Sequence, residues 1–321
     1  MHNLSSENKV VYEYSEVKQI QLFGNKKTSF AGKIVLVRDC VLDTQSNRIL
    51  GKNFIYDYVS HKFLTNSEDV STSDCEILET AGLIVCSNYS NYFHWIMEAL
   101  YSVWLLKRLN INNLIGQNFL YPQIFHKHSL EIFGVKIKYG GIYKIKELFV
   151  PEFYIHPEGE FPNNLWQYVG YSKNFYIFLN EIFDSNRFEF GNSNKIYLNR
   201  SNASFRKIED PKLESLMLEL GYVPRDFIAE TISDQAQQIK SASRVIAIHG
   251  AANTNFIFAN PGATLTELFA SNYAPSNFEI IASDIGCTYQ KFLCEPCGDL
   301  NAPLKSNLHV DTKIFKSLAV E

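Results

Sequence analysis

The stretch "RVIAIHGAANTNFIFANPGATLTELF", residues 244–269, decides the fold. "RVIAI" is a short, largely β-branched apolar run with no turn former, the composition of a strand buried on both faces. His249-Gly250-Ala251-Ala252 then reads as a tight turn and "NTNFIFA" as a short helix. Pro261-Gly262 is another turn, and "ATLTELF" is the next strand. Strand, turn and helix in that succession are the building unit of a parallel sheet.

Working outward, "KIYLNR" at 195–200 is a strand. Asp210-Pro211 starts a helix, with Asp at the cap and Pro at the first position. Leu213, Leu216, Met217 and Leu220 form its apolar face, and Gly221 ends it. Ser233 caps a further helix that ends near Ser241. Strands alternating with helices over about 75 residues make a Rossmann-like sheet.

The N-terminal half has a different texture. Residues 8–80 are β-rich, with "GKIVLVRDCVLD" and "NFIYDYVS" as short strands between polar turns. "EILETAGLIVC" is a buried strand ending near Cys86, and a loop leads from it into a mostly apolar helix from Trp95 to Leu109. "QNFLYP" (117–122) and "KELFVPEFY" (146–154) are further strands, with "HKHSLEIFG" a short helix between them. Residues 160–184 are helical and aromatic, and 184–194 are a surface connection, so the domain join falls within 155–193.

Composition sets outer bounds. A chain of 321 residues, 46% hydrophobic and 20% charged, is globular and makes roughly two domains or one large one. Its 24 Phe and 18 Tyr suit a Phe-rich core better than a stacking surface. A net charge of −4 without a long basic run excludes bulk nucleic-acid binding. No apolar stretch nears the roughly 18 residues of a membrane span, and the polar start reads as no signal peptide. Of six cysteines only Cys294 and Cys297 have redox or metal spacing, and without a second pair they make no zinc site. The expectation is a cytoplasmic protein with reduced thiols. His126 and His128 read as surface residues, not metal ligands.

Three segments carry chemistry. The turn after "RVIAI" lies at the carboxyl end of a strand and opens a helix, where exposed N–H groups attract anions. In "LNRSNASFRK", Arg200, Arg206 and Lys207 offer three cations at the same end of the sheet, enough to clamp a diphosphate. Glu267 sits inside an apolar strand and needs partners, from protein or from ribose hydroxyls. In "SNYSNYFHWIMEAL", residues 87–100, Asn91, His94, Glu98 and Ser102 fall within about 80° of one another on a helix. A buried carboxylate beside an imidazole is either a satisfied core pair or the wall of a site. The sequence contains no P-loop, no G-x-G-x-x-G, no G-x-S-x-G and no D-x-D.

Together these segments resemble glycosyltransferase family 61, over roughly residues 80–270. Asn91, His94 and Glu98 match its Asn-x-x-His-x-x-x-Asp/Glu motif, and the helix is especially similar to that of bacterial surface-polysaccharide members. Arg200 and Arg206 match its paired arginines. His249, Gly250, Ala251, Asn255, Pro261, Gly262 and Glu267 match its "HGAGLTN…PG…E" segment. Ala252 stands where the family has a second glycine, and Asn253 where it has an apolar residue.

The resemblance implies a GT-B-like α/β architecture, two Rossmann-like domains facing across a cleft, with a β-rich N-terminal segment. Residues 1–160 form the acceptor side (β-rich over 1–75, α/β over 76–160), 161–193 connect, and 194–321 bind the nucleotide sugar. It implies an inverting, metal-independent transferase with a UDP-linked donor and a glycan or lipid-linked glycan acceptor of capsule, exopolysaccharide or lipopolysaccharide synthesis. Such an enzyme needs no cofactor and works in the cytoplasm, with peripheral association at the inner membrane face as one option. Glu98 or His94 supplies the base, alone or as a pair in which Glu98 orients His94, with Asn91 and Trp95 on the acceptor side. Arg200, Arg206, Lys207 and the turn residues His249, Gly250, Ala251, Ala252, Asn253 and Asn255 hold the donor, and Glu267 binds its ribose. The alternative, resting on Ala252, is a catalytically inactive sugar-nucleotide- or glycan-binding protein of the same fold.

Overall fold

A computed structural model of the chain describes residues 9–12, 33–51, 54–58, 62–64, 75–117, 119, 122–152, 173–183, 195–200, 202–208, 211–298 and 301–319. The chain divides into two compact units, Met1–Pro157 and Glu158–Glu321. Among the described residues no helix is long and apolar enough to cross a membrane.

The first unit holds a nine-stranded mixed sheet. β1 (Lys9–Tyr12), β2 (Lys33–Asp43), β3 (Arg48–Gly51), β4 (Phe54–Asp57) and β5 (Lys62–Leu64) make its antiparallel part. β6 (Glu76–Leu83) leads into helix α1, which runs as an α-turn Tyr92–His94, a π-turn Trp95–Ala99 and an α-helix Leu100–Arg108. β7 (Leu114–Gly116), α2 (Ile124–Phe133) and β8 (Ile137–Tyr139) continue the β-α-β-α-β run, with β6, β7 and β8 parallel neighbours. β9 (Ile142–Glu152) lies between β2 and β6, antiparallel to the first and parallel to the second. A Rossmann-type connectivity is thus embedded in a wider antiparallel sheet.

Helix α1 is the centre of that unit. Trp95, Ile96, Met97, Ala99, Leu100, Tyr101, Val103 and Leu106 are all fully buried. A helix that is apolar on every side belongs inside a core. It starts earlier than the expected Trp95, because Asn91 caps it by accepting a hydrogen bond from the Phe93 N–H at 2.9 Å. Two further expectations are corrected. Of the strand expected over 117–122, residues 118, 120 and 121 lie outside the described residues and 117, 119 and 122 are not in a strand; the described strand here is Leu114–Gly116, where Ile115 pairs with Leu83. His126 is not a surface residue: it is fully buried among the rings of Trp95, Phe119 and Phe125.

The second unit begins with α3 (Lys173–Phe183), the described part of the helix expected over 160–184. There follow β10 (Lys195–Leu198), α4 (Pro211–Glu219), β11 (Val223–Arg225), α5 (Ile232–Ser241) and β12 (Arg244–Ile248). A 3₁₀ stretch Ala251–Phe258, β13 (Thr264–Ala270), α6 (Asn277–Asp284), β14 (Thr288–Cys297), β15 (Asn307–His309) and α7 (Thr312–Ala319) complete it. The sheet order is β11-β10-β12-β13-β14-β15, parallel through β14 and antiparallel at β15. Counted within the unit, the parallel strands run 2-1-3-4-5, a doubly wound order whose direction reverses between β10 and β12.

One face of this sheet packs Tyr197, Ile246, Ile248 and Leu268 against Leu213 and Met217 of α4 and Phe315 of α7. The other face is covered by α3, α5, α6 and the 3₁₀ stretch, which contact one another. Gly221 has φ +80°, the left-handed turn that ends α4 as expected. Asp210, expected as the cap of α4, lies outside the described residues. The cap of α5 is Thr231 rather than Ser233: its hydroxyl accepts from the Asp234 N–H at 3.2 Å, and Ser233 falls inside the first turn. The "NTNFIFA" helix is a 3₁₀ run. The Thr254 hydroxyl and the Asn255 amide donate to the Ala251 and Ala252 carbonyls, competing for acceptors that an α-helix would need.

Candidate active site

In open α/β sheets, ligands bind beyond the carboxyl ends of strands where the winding reverses. In the second unit that point lies after β10 and β12, the strands followed by Arg200 and by His249-Gly250. The two segments are in intimate contact. A β-carbon placed on Gly250 would lie 1.9 Å from Arg200 Nη1, so a hydrogen is all that fits there.

Arg200 and Arg206 lie close enough to repel. Burial, then the neighbouring Arg206, push the Arg200 guanidinium down to about 10, with Asp226 opposing. Burial also lowers Arg206, against the attraction of Tyr273 and Glu267. Both remain cations near neutral pH. Their Nε atoms are buried with no hydrogen-bond partner, and neither guanidinium forms an ion pair among the described residues. Arg206 is also held at φ +56°, a left-handed conformation uncommon for a side chain of its size. Two half-buried like charges with unused donors are costly unless an anion completes them. The first N–H groups of the adjoining 3₁₀ stretch, at Ala251 and Ala252, have no acceptor within it and add to the same positive field.

Behind this cradle lies a buried hydrogen-bonded network. Glu267 is fully buried, and its Oε1 accepts from His249 Nδ1 at 2.7 Å and from Asn253 Nδ2 at 2.9 Å. Its Oε2 accepts from the Tyr289 hydroxyl at 2.7 Å; burial, then Glu267 itself, keep that phenol protonated. Glu267, expected to bind ribose, thus has both oxygens bonded within the protein, and it holds the His249 ring, which also stacks on Phe269 at 4.9 Å. Asn253 is buried with its Oδ1 unpartnered. Asn255, also expected to hold the donor, is buried and donates to Gln235 Oε1 at 2.7 Å. The backbone of Lys207 pairs with β15, its N–H donating to Asn307 Oδ1 and its carbonyl accepting from Leu308.

The first unit builds a second His–carboxylate pair. His94 Nδ1 lies 2.7 Å from Glu98 Oε1, across the π-turn. Such turns are rare and recur at functional sites. The Glu98 side chain is 1% exposed and that of His94 22%, so the imidazole is the part that reaches the surface. The carboxylate also accepts from the Ser87 backbone N–H at 2.6 Å and from the Ser87 hydroxyl at 2.9 Å. Ser87 opens the stretch 87–100 but is not among its candidate residues, since it approaches from the loop after β6 and not from the helix. Tyr289 likewise sits on a strand whose alternation marks it only as half-buried.

Other members of the stripe have structural roles. Trp95, expected at the acceptor side, is fully buried and donates from Nε1 to Ser129 Oγ at 2.9 Å. Asn91 is the helix cap. Ser102 is buried and donates to the Glu98 carbonyl at 3.0 Å.

Comparison with known sequences gives a family and no site residues. No curated protein matches the chain. The profile of the family described as Glycosyltransferase 61 matches residues 92–266, more than half of the chain. The matched stretch takes in His94 and Glu98, both arginines and the turn at His249, and stops one residue before Glu267. This chain therefore belongs to the Glycosyltransferase 61 family.

Proposed function

We propose that the chain is an inverting glycosyltransferase that takes a UDP-linked sugar and works without a metal. The observation that carries this reading is the pair Arg200 and Arg206 beside Gly250. Two half-buried cations with unpartnered Nε donors, at the switch point of a doubly wound sheet, call for a ligand with at least two negative charges, and a diphosphate supplies them. The absence of D-x-D from the sequence supports metal independence, since the arginines take over the neutralising role. The second unit holds the donor and the first supplies the acceptor contacts and base, the GT-B division of labour that the family resemblance implies.

The reaction is a single displacement. The acceptor hydroxyl gives its proton to His94 Nε2 as its oxygen bonds the anomeric carbon. The bond from that carbon to the diphosphate breaks, and the electron pair leaves with the diphosphate. Attack opposite the leaving group inverts the configuration. With Nδ1–H directed at Glu98, the ring carries its lone pair on Nε2, so Glu98 orients and His94 accepts the proton. Arg200, Arg206 and the amides of Ala251 and Ala252 stabilise the departing charge. The acceptor class is a glycan or lipid-linked glycan of bacterial surface-polysaccharide synthesis, on the strength of the helix motif.

Calorimetry with UDP-sugars in EDTA, followed by NMR of the product anomer, tests this. Donor binding and transfer with inversion support it. Donor binding without transfer or hydrolysis leaves the inactive binding protein as the reading. No binding of any UDP-sugar, or activity lost in EDTA and restored by manganese, overturns it.

A further inference from the structure

We propose that Ser87 is a positioning residue that fixes the tautomer of His94 through Glu98, a role that rests on the reading of His94 as the base. Ser87 lies outside the stretch that matches the family. It follows β6 by four residues, in a loop pinned on both sides. Before it, the Ile84 N–H donates to the Ile115 carbonyl at 2.8 Å, and the Val85 N–H to Ser102 Oγ at 3.2 Å. After it, the Tyr89 hydroxyl donates to the Ile84 carbonyl at 2.8 Å. His126 Nε2 reaches the Tyr89 carbonyl at 2.7 Å. A loop held this way presents Ser87 to Glu98 in one geometry.

The contacts form a closed triangle. Ser87 Oγ is 2.9 Å from Glu98 Oε2, 3.2 Å from Glu98 Oε1 and 2.8 Å from His94 Nδ1. His94 Nδ1 is 2.7 Å from Glu98 Oε1. A carboxylate 1% exposed needs protein donors in place of its water, and they set its orientation. Ser87 contributes two donors at once, its backbone N–H and its hydroxyl. With the serine proton on Glu98, Oγ can only accept from His94. Both atoms facing Nδ1, Oγ and Oε1, are then acceptors, and the ring proton must sit on Nδ1. The opposite tautomer would set a nitrogen lone pair against two oxygen lone pairs.

The same geometry excludes Ser87 as a nucleophile. A serine relay needs the hydroxyl on one ring nitrogen and the carboxylate on the other. Here both meet Nδ1. The hydroxyl therefore serves the carboxylate.

The test uses full-length wild type, Ser87→Ala and Ser87→Thr, all of which keep the backbone N–H to Glu98. Side-chain ¹⁵N NMR at neutral pH reads the His94 tautomer without need of activity, and kinetics with UDP-sugar read kcat and donor KM separately. The expected result is a single Nδ1–H tautomer in wild type and Ser87→Thr, and an added share of Nε2–H in Ser87→Ala, where the carboxylate keeps only the backbone donor of residue 87 and turns away from Nδ1. In Ser87→Ala kcat should fall by about 10- to 100-fold, part of what a general base contributes, with donor KM unchanged. A tautomer shift in Ser87→Ala with no transfer by any variant, wild type included, supports the positioning and overturns the transferase reading. An unchanged tautomer in Ser87→Ala, or an unchanged kcat in an active enzyme, overturns the role of Ser87.

Discussion

Arg200 Nη1 lies 1.9 Å from the point a β-carbon on residue 250 would occupy, and Arg200 Cζ lies 2.9 Å from it. Gly250 has φ −179°, extended backbone that any residue adopts, so it is required for space and not for conformation. Gly250→Ala should leave the backbone intact and displace Arg200. UDP affinity should then fall to the level of Arg200→Ala, and the double variant should bind like either single one. Titration calorimetry on the three proteins decides it. Fully additive losses would separate the two residues.

Arg200→Ala and Arg206→Ala should each weaken UDP-sugar binding by about 1.5–3 kcal/mol, the range of a lost charge-assisted contact. Stability without donor should hold or rise, because each variant removes a buried cation from beside its like. Denaturant midpoints without ligand and binding curves with it give both halves. A fold that collapses on losing either arginine would assign the pair to the core.

Glu98→Gln keeps shape but removes the charge that orients His94. The turnover rate should fall by about 10²–10⁴-fold with donor affinity unchanged. His94→Asn should fall as far, and the pair of changes should cost little more than one. Turnover per folded molecule is the measurement. Normal turnover by an early-melting Glu98→Gln protein would return the pair to a structural role.

His126 makes stability depend on pH. Burial lowers it from 6.5 to about 4, against the hydrogen bonds at Tyr89 and Gln123 that favour charge. Between those values the unfolded chain binds a proton that the folded chain does not. The contribution is therefore complete above pH 6.5 and fades as pH falls toward 4. The urea midpoint of wild type should drop across that window more steeply than that of His126→Gln. Parallel curves would remove His126 as the source.

What the sequence disclosed follows from period and punctuation. β12 and β13 were legible because buried parallel strands leave continuous apolar runs bounded by Gly and Pro. Arg200 and Gly250 were legible singly as residues at strand ends. Their contact was not, because fifty positions of chain separate them and only the 2-1-3 strand order brings β10 beside β12. His94 and Glu98 were visible as an i, i+4 pair. The π-turn between them was hidden, since nothing in "WIMEA" marks a turn one residue wider. The burial of Trp95 was hidden for a related reason: helical period does not say how much of α1 the core covers, and apart from its ends, where His94 is partly exposed and Lys107 and Arg108 are exposed, the core covers nearly all of it. Polar side chains paired across distant segments, such as Glu267 with Tyr289 or Asn255 with Gln235, are the least legible class, because either residue alone reads as a solvated exception.

The unused guanidinium donors of Arg200 and Arg206 make solvent ions part of the chemistry of this protein. On the proposed reading, phosphate or sulfate in a buffer would compete with the donor for these two cations. In such a buffer the protein should melt later while its apparent KM for the donor climbs, two changes that would pass for unrelated if the salt went unrecorded. Rates compared across laboratories are comparable only at matched anion, and a zwitterionic amine buffer with chloride as the counter-ion shows the site closest to its own affinity.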